Sequence, residues 1–326
     1  MAYLIELDTD KVIYLHAHHS IGRFQYSVDT LVADPSISKI HAIVEWQGNH
    51  WQVRDLSRNG TWLNGMRLEK DSSEILKCDD VISFGGSHTR GFRVANLDKP
   101  SDLLIVLNEQ GQPTENAIAL SSYNLIPEEN PEVAVFTQRE TGLWCFERLD
   151  GSMFEHTIII EHDRVTDSKH TYQLHLSRLE AATALKEVAT VKLEDLHFIF
   201  FLTLDEESAE LVIKGPKEEL DLGERCHHYL TLNLARYKAQ DAKSGVHELS
   251  QGWVDTEVIA KDLGIDLRYL NIQIHRARKQ FSDALTSIQG ADNVIERKLR
   301  KVRFNASNFE IYKGHQLEGA LKRASN

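Results

Sequence analysis

Cysteine is scarce in this sequence, and its spacing argues against cysteine-based sites. The 326 residues include three cysteines, Cys78, Cys145 and Cys226. An odd number of widely separated cysteines predicts neither a disulfide framework nor a zinc site. Because free thiols persist in a reducing compartment, the sequence favours a cytoplasmic location.

Long apolar runs and a secretory start are also missing. No run of about 18 apolar residues occurs, which argues against a transmembrane helix and a membrane partner. The opening stretch MAYLIELDTDKVIYLH carries acidic residues early. It lacks a basic start and a small-residue cleavage site, so we expect no signal peptide.

The motifs of common catalytic and cofactor sites are absent from the sequence as well. It has no glycine-rich loop with a phosphate-binding lysine, no nucleophile elbow and no zincin helix. His16 and His18 would face the same side of a strand, with His19 beside them. No further ligand set accompanies these histidines, and a solvated strand explains them. The sequence therefore predicts no enzyme, no cofactor and no metal site.

Acidic residues outnumber basic ones, 49 to 37, and give the chain a net charge of −12. That balance disfavours nucleic-acid binding by the chain as a whole. The charge is unevenly spread, because the segment from Asp266 to Arg303 holds nine Lys and Arg residues against four acidic residues. This segment is the candidate nucleic-acid surface.

Short alternating stretches separated by turn signals fill residues 1–97. Residues 41–46 and 50–54 alternate apolar and polar side chains, and Gly and Asn-Gly clusters lie between such stretches. Many short strands with regular turns predict a β-sandwich. The polar run at residues 96–100 marks the end of this domain.

Several loops of this sandwich carry side chains that suit a phosphate group. A phosphate dianion needs charged and neutral donors that converge on one concavity. The planar guanidinium of Arg23 can bind two phosphate oxygens. The amide of Asn59 can both donate to and accept from an extended peptide. These residues lie in loops that a rigid sandwich would present together, which predicts a phosphopeptide site.

Four pieces of the sequence carry a family resemblance: GR at 22–23, SKIH at 38–41, SRNGT at 57–61 and NG at 64–65. Their order and spacing resemble the motifs of the forkhead-associated (FHA) family, a β-sandwich that binds phosphothreonine peptides. The resemblance implies five residues that contact the phosphopeptide: Arg23, Ser38, Lys39, Arg58 and Asn59. It also implies four residues that brace the loops: Gly22, His41, Thr61 and Asn64.

Each fragment also has a simpler interpretation. Asn59-Gly60 and Asn64-Gly65 are ordinary hairpin turn signals, and Gly22 could serve a positive φ. A sandwich that has kept the fold and lost binding is a further alternative. Arg58 departs from the small hydroxyl residue often found at its position in the family, which leaves the peptide preference open.

Residues 101–195 are predicted to be a β-rich middle domain. The run from Val133 to Leu149 echoes the run from His41 to Leu56. The segment is either a degenerate second copy of the first sandwich, without its motifs, or an unrelated β-rich linker domain. Within it we expect strands at 103–107, 133–136, 143–146, 157–160 and 171–176, and a helix at 179–188.

The pattern changes in residues 196–314, the third predicted domain, which a tail at 315–326 follows. Two strands come first, at 198–204 and 210–213. Helices are expected at 226–239, 256–263 and 266–287, and a hairpin at 298–303 and 308–312. Sheet, helices and a terminal hairpin follow the order of a winged helix. We therefore predict a multidomain, mainly β protein with an α+β C-terminal part.

The predicted helix at 266–287 has two different sides. Its core stripe is Leu270, Ile274, Ala277 and Phe281. A helix that is apolar on one side and basic on the other suits the major groove of DNA. Residues 270–279 resemble the recognition helix of response-regulator output domains. The side opposite the core stripe carries Arg268, Ile272, His275, Arg276 and Lys279.

Residues 297–312 resemble the wing of the same output domains. Arg276 is the candidate for a base-edge contact, since Arg to guanine is the commonest specific pair, and an exposed Ile272 would meet either a thymine methyl group or an apolar surface of a protein partner. Phosphate contacts would come from Arg297, Lys298, Arg300 and Arg303. The alternatives are a solvated basic face, or a face that docks on the acidic remainder of this chain.

These patterns together predict a phosphothreonine-dependent transcriptional regulator. Its N-terminal domain would dock on a protein phosphorylated by a Ser/Thr kinase, and its C-terminal domain would bind double-stranded DNA. One alternative is an adaptor whose winged helix binds protein rather than DNA. Another is autoinhibition, in which the first domain binds a phosphothreonine of this same chain. The sequence does not indicate an oligomeric state.

Overall fold

The computed structural model describes most of the chain, in residues 1–70, 72–84, 91–138, 141–150, 152, 156–179, 191–216, 218–288 and 290–322. No helix in these residues is long and apolar enough to cross a membrane. The predicted helix at 179–188 lies, beyond its first residue, outside the described residues.

The chain divides into two compact units. The first unit consists of Met1–Leu120 and Ile160–Thr183, and the second of Ser121–Ile159 and Ala184–Asn326. This division differs from the prediction of one middle domain at 101–195, because that segment contributes to both units.

Short strands form the N-terminal part of the first unit. They are β1 (Ala2–Glu6), β2 (Val12–Tyr14), β3 (His18–Gly22), β4 (Thr30–Leu31), β5 (Ala42–Trp46), β6 (Trp51–Asp55), β7 (Thr61–Leu63), β8 (Met66–Arg67), β9 (Ser73–Ile75), β10 (Val81–Phe84) and β11 (Gly91–Leu97). One sheet has the order β2-β1-β11-β10-β7-β8, and the other the order β4-β3-β5-β6-β9.

The two sheets enclose one apolar core. Leu4 and Phe92 come from the first sheet, and Val44, Trp51 and Val53 from the second, and all five side chains are essentially inaccessible to water. Alternation along each strand sends every second side chain into this core. The result is the β-sandwich that the turn pattern predicts.

Residues 103–175 add eight strands among the described residues: β12 (Leu103–Leu107), β13 (Pro113–Ala119), β14 (Tyr123–Ile126), β15 (Val133–Thr137), β16 (Trp144–Arg148), β17 (Thr157–Ile159), β18 (Arg164–Thr166) and β19 (Thr171–His175). In the first unit they form a sheet of order β13-β12-β19-β18. In the second they form a sheet of order β14-β15-β16-β17.

Strand pairing explains why the middle segment is divided. β19 pairs antiparallel with all of β12, from Leu103 opposite His175 to Leu107 opposite Thr171. Leu103 and Ile105 of β12 pack with Val12 and Tyr14 of the N-terminal strands. Residues after Ile159 therefore return to the first unit. Whether these strands are a degenerate second copy of the sandwich stays a prediction.

The C-terminal part of the second unit mixes strands and helices. These elements are β20 (His197–Leu202), β21 (Ala209–Lys214), β22 (Glu219–Glu224), α1 (Cys226–Lys243), β23 (Val254–Asp255), α2 (Thr256–Leu263), α3 (Leu267–Ala284), β24 (Ile295–Lys298), β25 (Lys301–Phe304), β26 (Phe309–Lys313) and β27 (Gln316–Leu321). Single 3₁₀ turns lie at Leu193–Asp195, Glu248–Ser250 and Ala291–Asn293. The sheets have the orders β22-β21-β20-β26-β27 and β23-β25-β24.

Local chemistry sets the ends of α2 and α3. The Asp255 carboxylate caps α2 by accepting from the Glu257 N–H, and α2 ends at Gly264 in the left-handed region, at φ 66°. The Asp266 carboxylate caps α3 in the same way, accepting from the Tyr269 N–H at 2.7 Å. The predicted core stripe of α3 is confirmed, since its four residues are fully buried.

The predicted terminal hairpin is wrong in its pairing. β25 pairs with β24 across a turn at Leu299 and Arg300, and Leu299 adopts a left-handed φ of 52°. β26 instead pairs parallel with β20 and antiparallel with β27. The predicted tail therefore supplies a strand. The prediction missed the β24–β25 hairpin because its turn, at Leu299 and Arg300, lacks the glycine and asparagine that usually mark hairpin turns.

Candidate functional site

The loop after β3 and the loop before β5 run side by side in the N-terminal sandwich. The Arg23 N–H donates to the Ser38 carbonyl at 3.1 Å, and the Phe24 N–H donates to the Lys39 carbonyl at 3.3 Å. A Cβ atom on Gly22 would lie 2.3 Å from the Lys39 carbonyl oxygen. Gly22 has no positive φ. The close approach of two backbones, rather than φ, requires glycine here.

The loop after β6 joins the same cluster. The Arg58 N–H donates to the Ser38 hydroxyl oxygen at 3.1 Å, and the Asn59 side-chain amide donates to the Ser36 carbonyl at 2.6 Å. The structure thus brings together the five residues predicted to contact the phosphopeptide. We call them the loop cluster: Arg23, Ser38, Lys39, Arg58 and Asn59.

His41 braces the loop cluster from within the core. It is fully buried, its Nδ1 accepts from the Ser38 N–H at 3.0 Å, and its Nε2 lies 3.0 Å from the Gly60 carbonyl. Since Nδ1 accepts, the ring proton sits on Nε2 and donates to Gly60. Burial lowers the pKa of His41, against the opposing effects of the Gly60 carbonyl and Asp55. A neutral imidazole therefore ties the two loops together.

Thr61 and Asn64 hold the next turns. The Thr61 hydroxyl donates to the buried Asp55 carboxylate at 2.8 Å. The Asn64 amide donates to Asp80 at 2.7 Å, and its carbonyl accepts from the Val81 N–H at 2.8 Å. These contacts fix the strand that follows the loop cluster.

The loop cluster carries uncompensated positive charge. Arg23, Lys39 and Arg58 are exposed, and none of them pairs with a carboxylate within the described part of the chain. The Lys39 ammonium lies 5.5 Å from the ring centroid of Phe24. The Ser38 hydroxyl accepts from Arg58 and keeps its own proton to donate. Three cations and a hydroxyl on adjacent backbones form a surface that can bind an anion.

Sequence reasoning missed the residues that position Asn59 and the turn after it. The Ser36 carbonyl holds the Asn59 amide, and the Ser57 hydroxyl accepts from the Gly60 N–H at 2.6 Å. Asp34 accepts from the Ser36 N–H at 2.7 Å, which makes an Asx turn. The Asp-Pro-Ser sequence at 34–36 is the signal that could have found this turn.

The predicted DNA-binding face of α3 is covered by the sheet β14–β17 of the same unit. The expectation of an exposed Ile272 is wrong, because it is 8% exposed and belongs to a cluster with Tyr123, Ala134 and Leu149. His275 is fully buried, and its Nδ1 is hydrogen-bonded to the Tyr123 hydroxyl. Periodicity along one helix cannot show that a distant segment covers its polar side.

Other predicted DNA contacts are engaged within the second unit. The Arg297 side chain is 6% exposed, and its guanidinium lies 2.8 Å from the Glu147 carboxylate. The Lys279 ammonium donates to the Tyr123 carbonyl at 2.9 Å. The Arg303 guanidinium donates to Glu296 at 2.6 Å. Arg268, Lys298 and Arg300 are exposed, and Arg276 is half-buried, as is Lys279.

Comparisons with known proteins bear on the sandwich. Residues 19–85 match the model of the FHA domain family. The DNA damage response protein kinase DUN1 of Saccharomyces cerevisiae is 40% identical over 85 residues, which are 24% of this chain and 16% of that protein. The meiosis-specific serine/threonine-protein kinase MEK1 of the same yeast is 30% identical over 99 residues, 28% of this chain and 20% of that protein.

A solved structure is similar to part of this chain. It is the MEK1 FHA domain in complex with the HOP1 pThr318 peptide, 26% identical, with a TM-score of 0.26, covering 29% of this chain and 94% of that chain. This chain covers no more than 20% of the two kinases. The segment matched by the family model contains the whole loop cluster. Residues 19–85 of this chain are therefore an FHA domain.

Proposed function

We propose that this chain binds phosphothreonine proteins through the loop cluster of its FHA domain. The observation that carries the proposal is that the loops of Arg23, Lys39 and Arg58 meet at Ser38 through backbone hydrogen bonds, while none of the three cations has a carboxylate partner in the described residues. A phosphate dianion would supply the missing negative charge. The partner would be the product of a Ser/Thr kinase.

The residues of the loop cluster would contact different parts of the phosphopeptide. The Arg23 guanidinium can pair with two phosphate oxygens, and the Ser38 hydroxyl can donate to a third. Asn59 has one N–H and its carbonyl oxygen left after bonding to Ser36, so it can hold the peptide backbone. A charge-assisted hydrogen bond contributes about 1.5–3 kcal/mol, so losing one weakens binding by about 10- to 100-fold.

A phosphothreonine peptide library tests this proposal on the full chain. Arg23→Ala should lose at least about tenfold in affinity for captured peptides, by fluorescence polarisation. Arg93→Ala is the matched control, because Arg93 is partly exposed in β11 and pairs with Asp79 instead. Unphosphorylated copies of the same peptides should not bind. Equal capture by the Arg23→Ala variant and the unaltered chain would contradict the proposal.

We further infer that α1, α2 and α3 with the sheet β23-β25-β24 form a winged helix. The support is the order of elements and the return of the β24–β25 hairpin onto β23. One candidate function of this winged helix is transcriptional regulation through DNA. It rests on the exposed Arg268, Lys298 and Arg300.

A second candidate function for this helical part is protein binding. It is favoured by the covered face of α3, where Ile272 and His275 contact residues of the sheet β14–β17. A recognition helix must present that face to a groove in DNA. Here it already packs on protein, and this favours an adaptor whose winged helix contacts polypeptide.

A further inference from the structure

A pocket of about 440 Å³ lies in the first unit, outside the loop cluster. Its lining includes His16, His19, Asp29 and His175. The solvated strand expected for these histidines is wrong for two of them, because His16 is 5% exposed and His19 is 2% exposed. His175, on β19, is also 5% exposed. Buried imidazoles from two distant segments therefore meet here.

Backbone carbonyls orient two of these rings. His16 Nδ1 lies 2.7 Å from the Leu176 carbonyl, and His175 Nε2 lies 3.3 Å from the Leu15 carbonyl. Carbonyl oxygens only accept, so both ring nitrogens must be donors. The lone pairs of the neutral rings are then on His16 Nε2 and His175 Nδ1. Metal-binding histidines are oriented by such carbonyl contacts.

Each of these lone pairs faces a carboxylate. His175 Nδ1 lies 3.4 Å from Glu161 Oε1, and His16 Nε2 lies 3.7 Å from Asp29 Oδ1. With both rings neutral, two acceptors face each other in each case, and either a proton or a metal ion between them would relieve the repulsion.

Two further polar residues of the pocket, His19 and Asp29, already have partners. His19 Nδ1 accepts from the His16 N–H and its Nε2 contacts the Thr30 hydroxyl, so both nitrogens are used. The Asp29 carboxylate accepts from Ser20 at 2.7 Å and from Arg178 at 2.7 Å. With neutral imidazoles, the carboxylates of Asp29 and Glu161 and the Arg178 guanidinium leave one net negative charge.

We propose that His16 Nε2, His175 Nδ1 and a Glu161 oxygen bind one divalent transition-metal ion of the zinc class. The three residues can each offer a ligand atom, and these atoms all lie within 4.8 Å of one another. Two imidazoles and one carboxylate suit Zn²⁺ or Co²⁺, whereas Mg²⁺ and Ca²⁺ take oxygen ligands. The fourth position would be open to water.

Such a metal ion would connect two parts of the first unit. His16 lies just before β3 of the FHA sandwich, while Glu161 and His175 belong to the segment that carries β18 and β19. One ion bound to both would add to the packing of β12 on the sandwich. Its binding free energy would then stabilise the folded unit.

Co²⁺ titration of the chelator-treated full chain tests the site. The visible absorption of low-coordinate Co²⁺ should saturate at one ion per chain, and added Zn²⁺ should abolish it. His16→Ala and His175→Ala should each lose at least about tenfold in Zn²⁺ affinity. Glu161→Gln should lose affinity as well. The Glu161→Gln variant keeps an oxygen that can accept from the Leu176 N–H, so its loss of affinity would not result from misfolding.

Exposed histidines of the same unit provide the matched controls. His18 and His170 have side chains that are 60% and 50% exposed, and their alanine variants should keep full affinity. Zn²⁺ should also raise the melting temperature of the unaltered chain but not of Glu161→Gln. Co²⁺ spectra unchanged by all three ligand substitutions would overturn the proposal. So would the absence of binding together with a protonated His175 in NMR spectra.

Discussion

Gly22 occupies the point where two backbones of the FHA domain touch. A side chain there would meet the Lys39 carbonyl oxygen, its carbon atom and the Ile40 Cα, at 2.3 to 3.0 Å. None of these is a flexible side-chain end, so the loop that carries Ser38 and Lys39 must move. A single methyl group would thus separate Arg23 from its neighbours in the loop cluster.

We predict that Gly22→Ala weakens phosphothreonine peptide binding by at least about tenfold and lowers the melting temperature. Gly48→Asn is the control, because Gly48 lies in a turn at φ 87° with open space around it and asparagine tolerates that region. Peptide titration and thermal melting measure both effects. Full binding by Gly22→Ala would show that the loop contact is not needed.

Glu147 is a buried acid of the second unit, and nearby cationic side chains stabilise its negative charge. It is 3% exposed, and its carboxylate lies 2.8 Å from Arg297 and 3.4 Å from His275. Burial raises the pKa of Glu147, but His275, Arg278 and Arg297 outweigh burial and lower it from 4.5 to about 2. A depressed carboxyl pKa stabilises the fold above pH 4.5, and this stabilisation is lost as the pH falls toward 2.

We predict that Glu147→Gln lowers the stability at pH 7 by about 3 kcal/mol, because it leaves Arg297 without its carboxylate. The gap in melting temperature between the variant and the unaltered chain should narrow as the pH falls below 4.5. Glu224→Gln, at an exposed position, is the control. A gap that stays constant with pH would refute this account of the carboxylate.

At the scale of single residues, the sequence predicted those sites whose residues lie close together in the chain. The loop cluster lies within one stretch of residues 22–65, and its order along the chain indicated its chemistry. The pairing of His16 with Glu161, or of Glu147 with Arg297, joins residues about 150 positions apart in the chain. No local spacing reports such pairs, and they escaped prediction.

Helix α3 is the element for which sequence and structure differ most. Its bounds and its core stripe follow from periodicity and from the Asp266 cap. The sequence left three environments open for its second face: DNA, solvent or another part of this chain. Asn271, Ile272 and His275 are buried there against residues of the same unit. Ile272 is apolar on an otherwise basic face, and it was the one residue there whose type indicated that another part of the protein covers this face.

We predict that Ile272→Lys lowers the melting temperature by several degrees, because it would bury a charge among Tyr123, Ala134 and Leu149. Tyr269→Lys is the control on the same helix, since Tyr269 is 42% exposed. An open recognition helix would instead tolerate both lysines and bind DNA more tightly. Thermal melting monitored by circular dichroism distinguishes these outcomes.

At the scale of the whole molecule, the net negative charge and the covered face of α3 both disfavour DNA binding. The chain has a net charge of −12. Three predicted phosphate-contacting or groove-facing residues, Lys279, Arg297 and Arg303, are already bonded to protein groups. Arg268, Lys298 and Arg300 are exposed, and phosphate contacts from them would carry no sequence preference.

We therefore predict that the full chain forms no fragment-selective complex with genomic DNA in mobility-shift assays at two salt concentrations. A transcriptional regulator would bind selected fragments and lose affinity steeply as the salt concentration rises. A second arm of the assay repeats the measurement with the phosphothreonine peptide at a saturating concentration. Selective, salt-sensitive binding in either arm would support the DNA proposal over the adaptor.

Each unit is built from two separate stretches of the chain, and this has a consequence for dissecting the protein. The polypeptide passes from one unit to the other after Leu120, after Ile159 and after Thr183. Cleavage at any one of these points leaves a unit without part of its sheets or core. A fragment ending at Leu120 keeps the FHA domain, but β12 loses β19, its partner along its full length. Truncation and domain-swap experiments on this protein must therefore transfer two stretches together.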